Sequence, residues 1–166
     1  QIQSSRPKMV DGSKGRLEVI TGCMFSGKTE ELIRRVDRAK IADQKVLLFK
    51  PRLDVRYSEE SVVTHYGREF NSQILPVGKE NYSFLSRSTK GNELENADMV
   101  AFDEGNFFGK DLKELSRALV QKGKRVLIAG LDLTFAGDPF TPMPELMARA
   151  DRLDKLHAVC IKWGKE

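Results

Sequence analysis

The chain has 166 residues, 40% of them hydrophobic and 31% charged, with a formal net charge of +4. That length suits one domain, or one domain with a small appendage, and the apolar fraction is enough for a buried core. No apolar run approaches membrane-spanning length, and the mild charge makes no case for a nucleic-acid partner. The polar start, residues 1–14, lacks the apolar stretch of a signal peptide and is expected to be a flexible arm. Cys23 and Cys160 are the two cysteines, which fits a reducing, cytoplasmic setting better than a disulfide framework.

Arg16 to Thr21 alternates polar and apolar residues and predicts a strand. The next eight residues, Gly22, Cys23, Met24, Phe25, Ser26, Gly27, Lys28 and Thr29, satisfy G-x-x-x-x-G-K-[ST], the phosphate-cradling P-loop. The spacing has a chemical reason. Glycines at both ends let the backbone turn tightly, so that its N–H groups face an anion. Lys28 supplies a cation for the β- and γ-phosphates, and Thr29 offers a hydroxyl to Mg²⁺. Thr29 to Asp43 then places Leu32, Ile33, Val36 and Ala39 on one helical face, which predicts a helix whose N-terminus adds its dipole to the anion site. Strand, glycine loop and helix together set this apart from a chance match.

Lys45 to Lys50 is an apolar strand pattern, and Pro51 to Glu60 a charged, Pro-broken loop. From Ser61 to Asn96 the pattern is less regular, with a hairpin expected between Ser61–Thr64 and Gln73–Val77 and a weak helix from Tyr82 to Leu94. Asp98 to Phe102 predicts a buried strand ending at Asp103-Glu104. Lys110 to Lys122 predicts a helix closed by Gly123; Arg125 to Ala129 a strand; Pro144 to Arg152 a helix; and Leu156 to Ile161 a last strand, in which Cys160 reads as a small buried residue. The alternation implies an α/β fold of the P-loop NTPase (RecA-like) type, a mostly parallel sheet with flanking helices. Its site belongs at the carboxyl ends of the strands.

Asp103 follows the apolar run Met99 to Phe102, the usual placement of a Mg²⁺-organising aspartate in P-loop proteins. Glu104 leaves the strand end in another direction. One carboxylate can then serve a metal while the other accepts a proton from a substrate hydroxyl. Phe107, Phe108, Phe135 and Phe140 all lie just past strand ends. Core packing accounts for each of them, and a stacking wall for a flat heterocycle is the alternative.

Taken together, G-C-M-F-S-G-K-T, D-E-G-N-F-F and G-L-D-L-T-F-A-G-D-P-F resemble type II thymidine kinases, as do Lys50 to Tyr57, Thr64 to Gly67 and Pro142 to Cys160. The resemblance spans about Gly15 to Gly164. It implies transfer of the γ-phosphate of ATP to the 5′-hydroxyl of thymidine, with Lys28 and Thr29 at the phosphate and Mg²⁺ positions. It also implies Asp103 as the Mg²⁺-associated aspartate and Glu104 as the base. Asp54 and Arg56 match a flexible-loop D-x-R pattern near the phosphates, with Arg56 a clamp for developing charge. Met24, Phe107, Leu131, Phe135 and Phe140 match positions around the thymine ring. The resemblance further implies a cytoplasmic homotetramer inhibited by thymidine triphosphate.

The chain also departs from the family pattern. Asn106 stands where the family usually has Gln, and Tyr66 follows His65 where an acidic residue is common. The family's structural zinc needs two Cys-x-x-Cys-like pairs, of which only Cys160 has a counterpart here, so no zinc is expected. The domain expectation is an arm over 1–14, a kinase domain over 15–152 and the start of an incomplete zinc-type subdomain over 153–166. The family's base-gripping loop would lie beyond Glu166, so this chain is expected to bind nucleotide phosphates and to hold thymidine weakly. A P-loop ATPase acting on DNA and a non-catalytic nucleotide-binding protein are the competing functions.

Overall fold

In a computed structural model, residues 15–52, 61–63, 69–134, 136–139 and 141–157 are described. Six strands form one sheet: β1 Arg16–Gly22, β2 Val46–Pro51, β5 Gln73–Leu75, β6 Met99–Phe102, β7 Arg125–Leu131 and β8 Arg152–Leu156, in the order β5-β2-β6-β7-β1-β8. Every pairing in it is parallel. Parallel neighbours need crossovers, and helices supply them after β1, β5, β6 and β7. They are α1 Lys28–Ile41, α2 Tyr82–Ser88, α3 Glu93–Asn96, α4 Asp111–Gln121 and α5 Met143–Arg149.

The central strands are buried on both faces, so their side chains divide by alternation between two cores. Val19, Val100, Phe102, Val126 and Ile128 join Leu85, Leu112, Leu115, Leu119 and Leu146 under the helices of one face. Ile20, Met99, Ala101, Leu127 and Ala129 meet Leu32, Ile33, Val36 and Ala39 of α1 on the other. The apolar positions of α1 recur every three or four residues, which is why one stripe of that helix disappears into the sheet.

Two expectations need correction. Ser61–Val63 (β3) pairs antiparallel with Glu69–Asn71 (β4), not with the segment after residue 72. Gln73–Leu75 instead joins β2 in parallel, and this buries Leu75 completely in the main core. Burial of that leucine outweighs the local hairpin. The expected strand Leu156–Ile161 lies mostly outside the described residues, and a strand the sequence reading did not expect runs over Arg152–Leu156. It is an edge strand with a polar surface, so it carries no apolar signature. Its place is set by backbone pairing with β1, by the Asp151 carboxylate accepting from Leu17 N at 2.9 Å and by the Arg35–Asp154 ion pair at 2.7 Å. The weak helix of 82–94 is two short helices, interrupted at Thr89 to Asn92.

Candidate active site

The carboxyl ends of β1, β6 and β7 converge on one opening, and the strand order β6-β7-β1 puts β7 between the two motifs. After β1 the phosphate loop turns through positive φ at Gly22, Phe25 and Gly27. Gly22 could carry no side chain: a Cβ there would lie 2.6 Å from the carbonyl oxygen of Leu156. Cys23, Met24 and Phe25 are exposed, Phe25 by 82%. Lys28 Nζ arches back to donate to the carbonyl of Cys23 at 2.7 Å. Helix α1 starts immediately after Gly27 with no side-chain cap, so its first N–H groups face the loop unclaimed by a cap. Loop, lysine and helix end form a cradle that fits a polyphosphate.

The acidic turn lies opposite. Asp103 N continues the sheet by donating to Phe49 O at 2.9 Å, which holds the residue at the end of β6. Its carboxylate is buried and accepts from Thr29 Oγ1 at 3.2–3.3 Å and from Glu104 N at 2.9 Å. Burial, reinforced by the neighbouring Glu104 charge, pushes Asp103 up to about 7, and its hydrogen bonds and Lys28 only partly oppose this. Glu104 adopts a left-handed backbone, φ 54°, uncommon for a residue with a Cβ. That twist swings its carboxylate off the strand axis. Burial raises Glu104 as well, against the pull of Lys50 and Lys28. Burial in turn lowers Lys28. A hydroxyl and a buried carboxylate offer only hard oxygen donors, which fit Mg²⁺.

The site therefore brings together Gly22 to Thr29 with Asp103 and Glu104. Leu131 is the register partner of Gly22, beside the loop. Phe107 is 43% exposed near the opening, whereas Phe108 is a core residue packed edge-on against Phe102. Asp54, Arg56, Phe135, Phe140 and Cys160 lie outside the described residues. The sequence reading missed Asp132, a nearly buried carboxylate just past β7 that pairs with Lys155 at 3.0 Å and acts on Lys28. It has the same signal as Asp103, an acid at the end of an apolar strand.

A family model for thymidine kinase matches residues 15–166. The chain belongs to the thymidine kinase family. Its relatives include thymidine kinases of Bacteroides thetaiotaomicron, 48% identical over 91% of this chain and 71% of the relative, and of Coprothermobacter proteolyticus, 49% identical over 90% and 71%. That of Haloquadratum walsbyi is 38% identical over 92% of this chain and 79% of its own. The phosphate cradle and the acidic turn lie at the same, carboxyl, end of the sheet. Among the described residues no helix is long and apolar enough to cross a membrane.

Proposed function

We propose that this chain phosphorylates thymidine with ATP as donor. The observation that carries the reading is the Thr29–Asp103–Glu104 constellation facing the phosphate loop, in a chain of this family. Loop N–H groups and Lys28 hold the β- and γ-phosphates. Thr29 and Asp103 would hold Mg²⁺, which when bound would offset charge building on the phosphate oxygens. Glu104, its carboxylate made more basic by burial, accepts the proton of the 5′-hydroxyl as that oxygen attacks the γ-phosphorus. The bond to the bridging oxygen breaks and ADP leaves. Arg56 is assigned to the charge that develops on the transferring group, with Asp54 in the same D-x-R pattern. Met24, Phe107, Leu131, Phe135 and Phe140 border the thymine. Thymidine triphosphate as inhibitor, a homotetramer and a cytoplasmic site follow from the same reading.

Incubating the protein with labelled ATP and thymidine, with water alone and with single-stranded DNA tests this. Label on thymidine monophosphate, dependent on thymidine and Mg²⁺, is the expected result. Phosphate release stimulated by DNA, without labelled nucleotide, would overturn it.

A further inference from the structure

The ladder between β6 and β7 ends at Phe102↔Ile128, yet β7 runs on through Ala129, Gly130 and Leu131. On the β6 side these residues face the 3-10 turn Gly105–Phe107 instead of a strand. The contact is close from both directions. A Cβ on Gly105 would come within 2.6 Å of Ile128 Cγ2. A Cβ on Gly130 would lie 2.9 Å from Asn106 N and 3.1 Å from its Oδ1. Into this fit Asn106 inserts a buried side chain, whose Oδ1 accepts from Leu131 N at 2.9 Å. Leu131 in turn is the register partner of Gly22, the first residue of the phosphate loop. The side chain thus links the turn that bears Glu104 to the strand end beside the loop.

We propose that Asn106 is a positioning residue, its amide oxygen replacing the missing β6 rung and locking the Glu104 turn to the end of β7. The proposal rests on the thymidine kinase reading. A left-handed non-glycine residue persists only where its surroundings over-determine it. The Asn106 bond and the two glycine approaches supply that constraint. Without the bond, Leu131 N is left as a donor with no acceptor from the turn, and Glu104 can relax away from the acceptor hydroxyl.

The test compares wild type, Asn106→Ala and Asn106→Asp by steady-state kinetics and by amide hydrogen exchange in the nucleotide-free protein. Asn106→Ala is expected to lower kcat by roughly 10- to 100-fold with KM for ATP within about twofold, because misplacing a reacting group costs rate rather than donor affinity. Leu131 N–H should exchange at least about tenfold faster, while the Leu127 and Ile128 amides stay protected. Asn106→Asp, which keeps an acceptor in the same place, should restore Leu131 protection. A Leu131 amide as protected in Asn106→Ala as in wild type, or a kcat within about threefold, would overturn the proposal. Wild type with no thymidine phosphorylation would refute the kinase reading alone, and the Leu131 amide then decides this inference by itself.

Discussion

The two ends of the sheet treat buried acids in opposite ways. Toward the amino end, Glu18 of β1 is 1% exposed and is met by Arg125 at 2.7 Å, Arg16 at 3.1 Å and Arg35 at 3.2 Å. Burial alone would raise Glu18, but Arg125 first, and then Arg16 and Arg35, hold it below the ordinary glutamate value. At the carboxyl end, Asp103 is as enclosed, yet among the described residues it accepts only from a hydroxyl and one backbone N–H, with a second acid beside it. One cluster is complete in its charges and serves the fold. The other sets two adjacent acids within the pull of Lys28 and Lys50, one of them the left-handed Glu104, which suits a cation and a reacting hydroxyl better than it suits stability.

The sharpest way to separate the ends is to remove the loop cation. Lys28→Ala should lower kcat/KM for ATP by on the order of 10²–10³-fold or more, since it removes a preorganised charge from the phosphates. Its chemical denaturation midpoint should stay close to wild type. A near-normal rate would break the assignment of this end to phosphoryl transfer.

Breaking the matched end should do the reverse. Glu18→Gln leaves Arg125 and Arg16, both partly exposed, facing an uncharged amide, while Arg35 keeps Glu31 and Asp154, and losing a hydrogen bond to a charged group costs about 1.5–3 kcal/mol. Urea denaturation measures that loss, and activity per folded molecule should hold. The sign of the pH dependence follows from the lowered Glu18 value. Its contribution is fully present above the unfolded glutamate range and is lost as pH falls through the folded value, so the variant should lose less stability on acidification.

The third effect has the opposite sign. Between the ordinary aspartate value of 3.8 and about 7, folded Asp103 binds a proton that the unfolded chain has released. Stability of the metal-free protein therefore falls as pH rises through that window. Asp103→Asn should stabilise the nucleotide-free protein at about pH 8 by on the order of 2–4 kcal/mol and leave it nearly unchanged at about pH 4. Thermal melts at the two values check this, and a destabilised variant at the higher pH would mean that the aspartate is matched after all. The same variant should lose the extra stabilisation that Mg²⁺ adds to bound ATP.

Much of this contrast was legible in the sequence on one side and hidden on the other. Lys28, Thr29, Asp103 and Glu104 stand at fixed offsets from a glycine loop and from the end of an apolar strand, so local pattern was enough to place them. The buried strands were legible because both of their faces are apolar. Strand β8 was not, because an edge strand held by ion pairs reads as polar loop. The partner of Gln73–Leu75 depended on where Leu75 could be buried, which no local pattern records. The Glu18 cluster and the bond that Asn106 makes escaped for a related reason, because only the strand order brings Arg125 to Glu18 and Leu131 to Asn106, whereas Asp132 stood at the end of an apolar strand and was overlooked.

The account stands most directly on Glu104 as the base. The deciding measurement is the rate of thymidine phosphorylation by Glu104→Gln at saturating ATP and thymidine, alongside its affinity for ATP. The amide keeps the shape and removes the basicity, so kcat should fall by on the order of 10²–10⁴ while ATP binds within a few-fold of wild type. A kcat within about threefold of wild type would contradict the account and leave the strained acidic turn without its assigned chemistry.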